Sequence, residues 1–128
     1  MENGVRLREG RNLLLKLHKT LVDHERALWE GMNGPATAGA FLNALLEDPE
    51  LSWLRKFSTL IVDIDEMFAQ KDGVPAESIN LHFETLRDLV TMNTDDETFK
   101  AKYQAALQQD PDAAARQADL KLLLNSTD

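Results

Sequence analysis

The chain has no cysteine among its 128 residues, which excludes disulfides, thiolate catalysis and cysteine-ligated zinc. A reducing compartment, the cytoplasm, is the simplest setting for such a composition. Long apolar runs are also missing: stretches such as Leu13 to Leu15 fall far short of the roughly 20 residues that a membrane span needs. The opening Met-Glu-Asn-Gly-Val-Arg has neither the basic nor the apolar region of a secretory leader. Positive charge is scarce, 14 Lys and Arg against 22 Asp and Glu, leaving a net charge of −8. That balance repels phosphate backbones and anionic lipid. Arg6, Arg8 and Arg11 form the densest basic group, diluted by Glu2 and Glu9, so neither nucleic acid nor a membrane is an expected partner. No Gly-x-Gly or Gly-Lys-Ser/Thr element cradles phosphate, and no serine or threonine sits in a nucleophile-elbow context.

What is present is helix signal. A chain of this length forms one domain, 1–128, burying roughly two-thirds of its unfolded surface. The spacing predicts a first helix from about Val5 to Met32, stopped by Asn33-Gly34-Pro35. A short second helix covers about Thr37 to Glu47, with Phe41, Leu42, Leu45 and Leu46 on one side. Asp48-Pro49 reads as an N-cap followed by proline at the first helical position, opening a third helix that ends near Lys71. A fourth spans about Pro75 to Met92, with Asp72-Gly73-Val74-Pro75 before it. Thr94 and Glu97 fit a capping box opening a fifth, and Asp110-Pro111 starts a sixth that runs toward Leu124. No segment alternates long enough to read as a strand. In the third helix Trp53, Leu54, Phe57, Leu60, Ile61, Ile64, Met67 and Phe68 occupy an arc of about 140°, wide enough for more than one neighbour. The fold class is therefore all-α, a single-domain bundle of about six helices with helices one, three and four at its centre.

The most informative polar feature lies in the first helix. Arg11, His18 and Glu25 form a heptad line between two apolar rows, Leu14, Leu21, Leu28 and Leu15, Val22, Trp29. At about 100° per residue His18 and Glu25 fall near the middle of the face expected to be buried, where a charge costs most and needs a partner. Seven residues apart, they are separated by about 10 Å along the axis and must look to other helices. Asp63 or Asp65 on the third helix and His82 on the fourth are the candidates. One reading is a hydrogen-bonded network that fixes helix register, or snorkelling to the rim. The sharper reading is a small-ligand pocket with His18, Glu25, His82 and Asp65 as convergent polar groups.

Spacing argues against a metal centre. Positions three before the histidines, 15, 21 and 79, are Leu, Leu and Ile, so no Glu-x-x-His pair exists, nor a His-x-x-x-His or His-x-x-x-Glu pair. No metal and no cofactor are expected. Asp63, Asp65 and Glu66 fit a solvated face, and Asp95, Asp96 and Glu97 offset the positive end of a helix dipole. His24, at the margin beside Leu17 and Leu28, reads as packing. Trp29 and Trp53 read as core or interface residues. The last helix is alanine-rich before Leu120, Leu122, Leu123 and Leu124, and this end either inserts into the domain or leaves a patch for a second subunit. Trp29, Trp53, Leu122 and Leu123 are the interface candidates.

Three phrases, REGRNLLLKLHKTLVDHER at 8–26, LSWLRKFSTLIVDIDEMF at 51–68 and KYQAALQQDPDAAARQADLKLLL at 102–124, resemble those of small uncharacterised bacterial all-helical proteins of the hypothetical-protein kind. The resemblance covers about half the chain and implies a bacterial cytoplasmic origin. It implies no activity and no site residue. The expected function is a non-enzymatic, acidic domain that binds a protein partner or itself through an apolar helix face, with the small-ligand pocket as the alternative.

Overall fold

The computed structural model describes residues 2–125. Short polar side chains set the helix starts. Thr37 accepts the Ala40 amide at 3.1 Å, Asp48 accepts Glu50 at 2.9 Å, Asp96 accepts Phe99 at 3.0 Å, and Asp110 accepts both Asp112 and Ala113. The helices that follow are α1 (Asn3–Asn33), α2 (Ala38–Glu47), α3 (Arg55–Phe68), α4 (Ala76–Val90), α5 (Glu97–Gln109) and α6 (Pro111–Leu124). Gly34 ends α1 at φ 85°, returning its amide to the Glu30 carbonyl, a conformation that favours glycine. The chain is all-helical, with no strand among the described residues.

Three boundaries differ from expectation, the simplest being that the third helix ends at Phe68 rather than near Lys71. The third helix does not start at Pro49: Pro49–Leu54 is a 3-10 turn, and its three-residue period brings Leu51 and Leu54 inward together with Trp53. The fifth helix is capped by Asp96 rather than Thr94, whose hydroxyl instead accepts the Asp96 amide at 3.2 Å.

α1 is the axis of the bundle. α3 runs antiparallel to it, pairing Arg11 with Asp65 and His18 with Phe57. α4 runs parallel, pairing Asn3 with Asn80 and Arg6 with Phe83, and Gly10 lets Leu86 approach so closely that a Cβ there would stand 2.7 Å away. α6 runs antiparallel along α1, from Asp110 beside His24 to Leu123 and Leu124 beside Arg6. Around this frame Trp53, Phe57, Phe99 and Tyr103 form an aromatic cluster with ring centroids 5.3 to 6.3 Å apart. The Tyr103 hydroxyl and Gln117 amide both donate to the Val90 carbonyl, closing the end of α4.

Candidate functional site

The buried line of α1 is Leu7, Gly10, Leu14, Leu17 and Leu21. At 100° per residue its centre lies roughly 60° from His18 and roughly 40° from Glu25. The rotation expected from the sequence is therefore corrected: His18 and Glu25 are half-buried at the flank, while Leu15, assigned to an inner row, is exposed. His18 lies over the Phe57 ring at 6.2 Å, and burial pushes its imidazole below the ordinary histidine value. Burial pushes the Glu25 carboxyl up, opposed by the charges of His24 and Lys102 and reinforced by Glu50.

The other members of the expected pocket go elsewhere. Asp65 is exposed and held by Arg11 through two bonds of 2.9 Å. His82 turns its Nδ1 to the Ser78 carbonyl of its own helix at 2.7 Å. It neighbours Phe83, which lies against Arg6, and Arg6 is about 18 Å along α1 from His18. The parallel arrangement of α1 and α4 thus puts His82 near the opposite end from Glu25, and His18, Glu25, His82 and Asp65 form no common site. Among the described residues no group of three or more His, Asp or Glu is placed to hold a metal ion.

The interface candidates also separate. Trp53 is 4% exposed and belongs to the aromatic core, so it offers no surface for a partner. Leu123 is half-buried against α1. Leu122 is 74% exposed, but α6 ends beside Arg6, at the far end of the bundle from Trp29. Trp29 is half-buried and packs on Phe41 at 5.9 Å with a 58° tilt.

At the Trp29 end the geometry becomes distinctive. α1 has 31 residues and α6 has 14, about 46 Å against about 21 Å. α6 begins level with His24, where His24 Nδ1 stands 3.5 Å from an Asp110 carboxylate oxygen. Glu25 feels Lys102 and Glu50, and those two pair at 2.5 Å. These groups form a polar collar around α1 at the edge of the core. Beyond it the inner stripe continues in the same direction, through Leu28 and Met32, yet Leu28 is 47% and Met32 86% exposed. Among the described residues α2 flanks this overhang through Phe41, its one buried side chain, which packs on Trp29. Leu45 is partly buried, whereas Leu42 and Leu46, expected on the same inner side, are exposed. Between the two helices lies an open groove of about 390 Å³ lined by Trp29, Ala40, Asn43, Ala44, Glu47 and Asp48.

The sequence reading did not single out Glu47, Lys102 or the His24 and Asp110 pair. These groups meet across 86 residues of chain in the case of His24 and Asp110, and periodicity carries no signal at that range. No helix of the described residues is long and apolar enough to cross a membrane. No family model, curated protein or solved structure matches the chain.

Proposed function

We propose that the chain is a non-enzymatic protein-interaction domain whose contact face is the overhanging end of α1, working in a bacterial cytoplasm. One observation carries this reading. The stripe that α1 buries completely from Leu7 to Leu21 extends past the start of α6 as Leu28 and Met32, still apolar and largely open to water. Leaving these side chains uncovered forgoes roughly 1.5–3 kcal/mol for Met32 and about half that for the half-covered Leu28, which a protein partner recovers on docking. Around the helix Leu28, Met32 and Trp29 span an arc of about 100°, a width suited to one further helix. The bacterial cytoplasmic setting rests on the cysteine-free composition and on the resemblance described above.

The test is a photo-crosslinking side chain placed at Met32 and, as control, at Leu122, followed by irradiation in living bacterial cells. A discrete protein adduct is expected from position 32, and Leu28→Ser should abolish it while leaving the unfolding midpoint in place. No adduct at 32, or equal adducts at 32 and 122, would overturn the reading.

A further inference from the structure

We infer that the occupant of this face is a basic amphipathic segment, one Lys or Arg of which enters the groove between Trp29 and Glu47; the inference rests on the interaction reading above. From Ala27 to Glu50 the chain carries four carboxylates and not one Lys, Arg or His. Cations reaching this region from outside it are engaged. Arg26 bonds Glu30 at 2.7 Å and the Ala36 carbonyl at 3.0 Å. Lys102 bonds Glu50 at 2.5 Å, and Arg55 bonds the Leu46 carbonyl. Of the four carboxylates, Glu30 and Glu50 are thereby paired and Asp48 accepts the Glu50 amide. Glu47 has no hydrogen bond or ion pair among the described residues.

The groove that contains Glu47 suits an aliphatic stem with a charged tip. Ala40 and Ala44 give one wall little bulk, and Trp29 supplies the facing aromatic wall, steadied by Phe41 behind it. A methylene stem running between them brings its cation to the indole and to the Glu47 carboxylate together. Cations bind tryptophan faces within about 6 Å of the ring centroid. Met32 and Leu28 follow Trp29 around α1, so the same segment that inserts a cation would lay apolar side chains on the exposed stripe. A second copy of this chain fits poorly, because it brings another −8 charge and no cation of its own in the corresponding segment.

The experiment uses the full chain and fluorescently labelled fourteen-residue helical peptides of Leu and Lys, with Leu/Glu peptides of the same pattern for comparison. The Leu/Lys peptide should bind, and the Leu/Glu peptide should not. Glu47→Gln and Trp29→Leu should each weaken Leu/Lys binding by about five- to tenfold with circular dichroism unchanged. Glu77→Gln, at the start of α4, should leave it as it was, which separates the groove from general attraction to an acidic protein. Charge reversal, Glu47→Lys, should transfer preference toward the Leu/Glu peptide. Equal binding of both peptides that is lost in Leu28→Ser would overturn the basic partner and leave the interaction face standing. Binding insensitive to Glu47, failure of every peptide to bind, or a photo-adduct at Met32 of twice the chain mass would each overturn the inference, the last in favour of self-association. Failure of the interaction reading itself is registered separately, by the absence of any adduct at position 32.

Discussion

The His18 imidazole and the Glu25 carboxyl sit at the same depth on one flank of α1, but burial moves their titrations in opposite directions. His18 is lowered, so on acidification the unfolded chain takes up a proton that the folded chain resists. Stability is present above the ordinary histidine value and falls as pH drops through it. His18→Leu should therefore lose less stability than the native chain between pH 7.5 and pH 5.5, as read from urea midpoints. Glu25 is raised, so as pH climbs past the ordinary carboxylate value the unfolded chain releases its proton first and the folded state loses ground. Glu25→Gln should unfold at a higher temperature than the native protein at pH 7, with the advantage shrinking toward pH 4. Neither substitution touches Asp65 or His82, whose partners are Arg11 and Ser78, so coupling between the four in double-mutant cycles should be absent. The heptad line marks 18 and 25 as polar positions beside the core but sets them at the middle of the buried face, whereas they lie half-buried at its flank. Their partners were not readable, because the register between helices depends on parallel or antiparallel packing that no local spacing encodes.

At the scale of the element, α6 shows how one helix is pinned at both ends. Asp110 accepts two first-turn amides and faces His24, while its C-terminal carbonyls are taken by two arginines. Arg6 reaches Leu123 at 3.0 Å, and Arg87 reaches Leu124 at 2.8 Å. Both guanidiniums also lie against Phe83, at 4.7 and 5.4 Å. Cations at this end complement the helix dipole and satisfy carbonyls that have no partner within the helix. Arg6→Met should cost about 2–3 kcal/mol and speed amide exchange in the last turn of α6. Asp110→Ala should cost about 1–2 kcal/mol and act at the first turn instead. Helix ends such as Asp110-Pro111 and Asn33-Gly34-Pro35 were legible because caps and breakers act within a few residues. The side that each helix buries was less legible wherever apolar residues outnumber the buried ones. Leu28, Leu42 and Leu46 satisfy a helical period as well as Leu14 and Leu21 do, and the reach of the neighbouring helices decides which are covered; Leu15, roughly 120° from the centre of the buried line, is exposed by the rotation of α1 instead.

For the whole molecule, the consequence of an axis longer than its cover is a division between a core that carries stability and an end that does not. Leu21 is fully buried, at the level of α1 wrapped by its neighbours, and Leu21→Ala should lower stability by about 2–5 kcal/mol. Met32 has the same chemistry and the same angular position, displaced by three turns, and is 86% exposed. Met32→Ser and Leu42→Ser should each change stability by no more than about 0.5 kcal/mol, measured by urea unfolding of the free protein. If the overhang instead folds back and covers itself in solution, both substitutions would destabilise as a core change does. The contrast separates two explanations for apolar side chains at this end, since residues kept for folding must register in the free protein. Residues kept for a partner register only when that partner is present.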